Sequence, residues 1–113
     1  MNLDQLAAEI ERVSPDKNGR GLAAALRNWK ADSADVNALL VLGEHYIGHS
    51  WFETDARHSA IYKLWSGFRT EAIFDIAGMT MNERQYNFGL FERFDSADPA
   101  EREVLYEKLL ARP

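Results

Sequence analysis

The chain has 113 residues, enough for one domain with its own core and no help from metal or disulfide. It holds no cysteine, which excludes a disulfide scaffold, a zinc–thiolate site and a thiol nucleophile. Its net charge of −5 repels phosphate backbones, so nucleic acid is not an expected ligand.

Helix signals recur from end to end. Asn2, with Gln5 three residues on, makes a capping box, and Leu3, Leu6, Ile10 and Val13 follow on one face. Ser14, Pro15, Asn18, Gly19 and Gly21 mark a turn. Leu22, Leu26 and Trp29 form a second stripe that ends near Ala31. Asp32 or Ser33 is expected to cap a third helix carrying Val36, Leu39, Leu40 and Tyr46, with Gly48 as the left-handed residue that closes it. His49 to Thr54 reads as a connection, and Ser50 or Thr54 as the next cap.

Ile61, Leu64, Trp65 and Phe68 continue at helical spacing, then Ile73, Phe74 and Ile76 before Gly78 stops the run. Gly67 either interrupts this stretch or admits a second helix. Thr80 and Glu83 form a second capping box, opening a helix from Met81 to about Phe94. Asp98, Pro99 and Glu101 open the last helix, to Ala111, with Lys108 and Arg112 near its negative C-terminal end. Nothing alternates with a period of two for long enough to make a strand. The expected fold is all-α, a compact bundle of six or seven short helices forming a single domain over residues 1–113. No apolar run approaches the ~20 residues of a membrane span. The N-terminus lacks the basic start and apolar centre of a signal peptide, so the cytoplasm is the expected location.

The chemistry-bearing residues do not assemble into a catalytic pattern. His45 and His49 are four apart, with Glu44, Asp55 and His58 nearby in sequence, but Gly48 is expected to end the helix between them. The order E-H-x-x-x-H also differs from H-E-x-x-H, so neither a metal nor any other cofactor is expected. Carboxylate pairs such as Asp32 with Asp35 and Glu101 with Glu103 fall at solvent-facing cap positions, without the desolvation that acid–base work needs. The serines lie outside any nucleophile elbow, and Gly19-Arg20-Gly21 is too short to cradle phosphate. Arg84, Arg93 and Arg102 each have acids at helical distances, as on solvated faces.

The charge distribution is more informative than its sum. No lysine or arginine lies between Lys30 and Arg57, whereas Asp32, Asp35, Glu44, Glu53 and Asp55 all do. Such a stretch is either a solvated acidic face or a docking surface for a basic protein. Trp51 and Phe52 lie in the connection inside it, either folded back as a lid on the core or exposed as anchors rimmed by carboxylates.

Two resemblances follow. Leu42-Gly43-x-x-Tyr46, Gly48, Ala60 and Trp65 are similar to part of a Sel1-like or tetratricopeptide hairpin, where small residues let two helices touch; the pattern occurs once, and solenoids need about three repeats. Thr80-x-Asn82-Glu83-Arg84, Gly89-Leu90 and Phe94-Asp95 resemble a C-terminal signature of small bacterial proteins. With the size, acidity, helical pattern and lack of cysteine, the chain looks like a bacterial toxin immunity protein of the contact-dependent growth inhibition or colicin-like type. That resemblance implies a partner rather than a substrate: a basic toxin domain, a nuclease, whose active site is physically covered. Asp32, Asp35, Glu44, Glu53 and Asp55 are then the expected charged contacts, with Trp51 and Phe52 as anchors. A repeat-like adaptor without a toxin partner and a metal-dependent enzyme using His45 and His49 are the alternatives.

Overall fold

The computed structural model describes residues 1–111, and within them the chain is an all-α bundle without strands. Helix α1 (Leu3–Val13) opens on the Asn2–Gln5 capping box, both of whose bonds measure 2.8 Å, and buries Leu3, Leu6, Ala7 and Ile10. Helix α2 (Lys17–Ala31) starts earlier than its glycines suggest, because Asp16 caps it by accepting from the Gly19 N–H at 2.8 Å. Asn18, Gly19 and Gly21 therefore belong to the helix and not to the turn before it. Gly19 is required by packing: a Cβ there would come within 2.8 Å of the Ser14 carbonyl carbon. The turn is tight enough for α1 and α2 to run side by side.

Asp35 caps α3 (Val36–His49), in place of Asp32 or Ser33, which belong to the corner after α2. Gly48 does not close α3; the helix runs through it to His49. Thr54 caps α4 (Asp55–Phe68), which passes Gly67 uninterrupted and widens into a π-helical turn (Arg69–Phe74) before a short 3-10 turn (Ile76–Gly78). Gly43, fully inside α3, lets α4 close in, since a Cβ there would sit within 2.6 Å of Trp65 Cε2. The expected helix from Met81 to Phe94 is two: α5 (Met81–Phe88) ends at Gly89, whose φ of 66° only glycine adopts freely, and α6 (Phe91–Asp95) restarts at a new angle. Helix α7 (Pro99–Lys108) is capped by Asp98 and stops three residues short of Ala111; Arg112 lies outside the described residues.

The core is knit by rings. Trp65 and Phe68 of α4, Phe88 of α5 and Trp29 of α2 form a chain of contacts at centroid distances of 6.1, 5.7 and 5.6 Å. Each fully buried ring or leucine contributes about 1.5–3 kcal/mol against leaving it exposed, so this chain fixes how α2, α4 and α5 cross.

Arginines expected on solvated faces instead hold helix ends. Arg84 is buried, donating to the carbonyls of Met79 (3.2 Å), Leu109 (2.9 Å) and Leu110 (2.7 Å), and so closes α7. Arg93 donates to the carbonyls of Lys30 (2.7 Å) and Asp32 (2.8 Å) at the end of α2. Arg102 remains exposed, its guanidinium 4.9 Å from the Phe94 ring centre. The Thr80–Asp95 signature is thus largely structural: it starts α5, locks α7 and turns the chain at Gly89.

Candidate protein-binding surface

The residues expected to form one acidic face are strung along the α2–α3 hairpin. Asp32 sits in the corner after α2; its carboxylate accepts from Lys108 Nζ at 3.0 Å and from the Ala34 N–H at 2.9 Å. Asp35 is committed to capping, accepting from the Ala38 N–H at 2.9 Å. Trp51 lies at the other end, where its carbonyl accepts from Asn18 Nδ2 at the first turn of α2. The 15 residues of α2 put about 22 Å between these ends. Glu44, midway along α3, pairs with Arg69, and Glu53 pairs with Arg57. Asp55 is exposed in the first turn of α4, where the helix dipole favours a carboxylate. Three of the five acids thus meet cations from outside the acid-only stretch.

Phe52 overturns its expected role as an anchor: it is 0% exposed and packs 5.4 Å from the His58 ring. The reason lies in the connection between α3 and α4. Thr54 must sit at the cap of α4, so the chain turns sharply at Glu53, with the Thr54 N–H donating to the Phe52 carbonyl at 2.7 Å. Glu53 takes φ 64°, a conformation costing a non-glycine residue about 1–2 kcal/mol. That turn sends Phe52 into the core and leaves its neighbour Trp51 outside, 54% exposed.

Trp51 begins a different surface. Its ring stacks on His58 at 5.4 Å and 20°. One turn further along α4 stands Tyr62, 46% exposed. The Arg69 guanidinium lies 5.9 Å from the Tyr62 ring centre and 5.4 Å from that of Phe74, which is 58% exposed on the π-helical turn. Arg69 also hydrogen-bonds Glu44 on α3 and, at 3.2 Å, the Ser66 hydroxyl. The Glu44 carboxylate first, then the Tyr62 hydroxyl, hold this guanidinium still more firmly in its charged form. Trp51, His58, Tyr62, Arg69 and Phe74 thus make an aromatic and cationic stripe along one side of α4. Val41, 66% exposed, is one turn before Glu44 on α3.

Tyr62 also walls a shallow, open groove of about 800 Å³ lined by Ser59, Lys63, Ser66, Thr70 and Glu71. Sequence reasoning missed this stripe. Tyr62 was legible, because it falls off the Ile61–Leu64–Trp65–Phe68 core face. Phe74 was not: the i→i+5 turn rotates each later residue away from its α-helical position, and so carries an expected core ring outward.

The histidine pair also differs from expectation. With α3 continuous through Gly48, His45 and His49 share a face, their rings stacked at 4.0 Å and 24°. Among the described residues no group of three or more His, Cys, Asp or Glu converges as a metal site, and no helix is long and apolar enough to cross a membrane. Comparison with protein-family models, curated proteins and solved structures gives no match.

Proposed function

We propose that this chain works by binding another protein, not by catalysis, and that it does so as the immunity proteins it resembles do. The partner in this reading is a basic toxin domain, a nuclease, which docks on the Trp51–His58–Tyr62–Arg69–Phe74 stripe and is thereby kept from its substrate. One observation carries the reading: Arg69 is held over two exposed rings while Glu44 fixes its charge. Tyrosine, tryptophan and arginine dominate binding hot spots. Side chains already held in place lose less rotamer freedom on association, a cost of about 0.5–1.5 kcal/mol for each long side chain immobilised.

Charge supports a basic partner. From Val41 to Asp75 inclusive there are five carboxylates and three cations, an acidic excess of two in the stretch that carries the stripe. It favours encounter with a basic domain and opposes docking of a second copy by the same face.

The test is site-specific photo-crosslinking in the native host, with a benzophenone amino acid replacing Tyr62 or, as control, Ala100, exposed on α7. The expected result is an adduct from position 62 alone with a basic toxin domain, and loss of protection against that toxin when Tyr62 and Phe74 are both changed to alanine. An equal yield from position 100, or a captured protein without toxic activity, would end the reading.

A further inference from the structure

We infer that His45 and His49 form a two-imidazole chelate at the C-terminal end of α3, open to a divalent late first-row ion such as zinc, nickel or copper. The inference is independent of the docking stripe. Residues four apart on a continuous helix project side by side, and α3 runs unbroken through both histidines. Both are exposed, so an ion reaches them without opening the fold.

The rings are close enough to share one ion once they turn out of their stacked arrangement. Their centroids stand 4.0 Å apart. A tetrahedral zinc with Zn–N bonds near 2.0–2.1 Å separates its two nitrogens by about 3.4 Å, within reach of side-chain rotation alone. His49 Nδ1 lies 2.9 Å from the His45 carbonyl oxygen. A carbonyl only accepts, so the hydrogen must be on Nδ1, which leaves the Nε2 lone pair of His49 facing away from the backbone and available. Holding the non-ligating nitrogen in this way is how proteins orient metal-binding imidazoles.

The electrostatics agree. The pair occupies the last turn and a half of a 14-residue helix, where the negative end of the helix dipole favours a cation, on a chain of net charge −5. Imidazole ligands select zinc, copper and nickel over magnesium or calcium. No third protein ligand converges among the described residues, so the remaining coordination positions are left to water or to a group on a bound partner. The site is therefore exchangeable, unlike a four-ligand structural zinc.

The untagged chain titrated with zinc chloride, and separately with nickel chloride, in a non-chelating buffer tests this by calorimetry and imidazole NMR. One ion per chain is expected, with the His45 and His49 ring signals moving or broadening and those of His58 unaffected. His45→Ala and His49→Ala should each weaken binding at least about tenfold, as loss of even an outer-shell partner commonly does, with helicity by circular dichroism unchanged. Either variant binding as tightly as the parent, His58 responding along with the pair, or no response to either ion would overturn the assignment.

Discussion

Lys108, on the last turn of α7, places its ammonium 3.8 Å from the centre of the Trp29 ring and 2.9 Å from the carbonyl oxygen of Asp32. It also donates to the Trp29 carbonyl and, at 2.7 Å, to that of Ala34. The last carbonyls of a helix have no partner within it and carry its negative partial charge. A fully buried lysine from the far end of the chain supplies that partner to α2, and so staples α7 over the corner between α2 and α3. Burial pushes the ammonium below the ordinary lysine range, and the Asp32 carboxylate partly offsets this.

Lys108→Met should therefore be among the most damaging single changes. Methionine fills similar space but donates nothing, leaving the part-buried Ala34 carbonyl without this donor and the Trp29 carbonyl with only the Asp32 N–H at 3.3 Å. Each such group costs about 1–3 kcal/mol, so a loss of about 2–4 kcal/mol is expected. Urea denaturation should show a lower midpoint with an unchanged slope; an unaltered midpoint would mean that the ammonium is not what closes α2.

Phe52 and Trp51 are neighbours with opposite expected behaviour. Phe52→Ala removes a fully buried ring next to His58 and should destabilise the chain by about 3–5 kcal/mol. Trp51→Ala removes a half-exposed ring stacked on His58 and should cost about 0.5–1.5 kcal/mol, well below the loss at Phe52. If Trp51 is part of the docking stripe, that second variant still loses affinity for the partner. Paired thermal melts and partner-binding measurements on the two proteins separate core from surface.

Much of the fold was legible because its signals are local. Asn2, Thr54, Thr80 and Asp98 cap their helices through bonds to residues three positions away, a spacing visible in the sequence. The candidate site was legible only in part, because its partners are remote. Nothing around Asp32 announces Lys108, and nothing around Glu44 announces Arg69 on another helix. The acid-only stretch was a correct reading of the chain but an incomplete reading of the surface, since tertiary contacts import the missing cations. Trp51 and Phe52 could not be told apart either, because the turn at Glu53 that separates them needs a positive φ at a residue type that seldom adopts one.

Glycines that look alike in sequence should respond in opposite directions. At Gly43 a Cβ would overlap the Trp65 indole, so Gly43→Ala should cost about 1–3 kcal/mol by pushing α3 and α4 apart. At Gly67 nothing lies within 4 Å of the position a Cβ would take, and the helix passes straight through. Gly67→Ala should stabilise by up to about 1 kcal/mol, because alanine loses less backbone freedom on entering a helix. Melting temperatures that move the same way for both variants would contradict the α3–α4 contact described above.

Asp16 should shape the acid limb of stability. The Ser14 hydroxyl, donating at 2.7 Å, and then the Gly19 N–H at 2.8 Å hold its carboxyl below the usual 3.8. As pH falls, the unfolded chain takes up this proton before the folded one does, so stability drops with falling pH over that interval. The contribution is intact above the ordinary carboxylate value and gone once the lowered folded value is passed, so the window lies on the acid side of the ordinary carboxylate range. Asp16→Asn keeps a side chain that caps α2 equally well but cannot titrate. Urea midpoints across that window should therefore fall less steeply for the variant than for the parent. They should not become flat, because Glu83, accepting from Thr80, and Glu9, paired with Arg12, are also held below their ordinary values. An identical acid limb in the two proteins would show that the bonds from Ser14 and Gly19 do not favour the charged form, and that α2 starts for another reason.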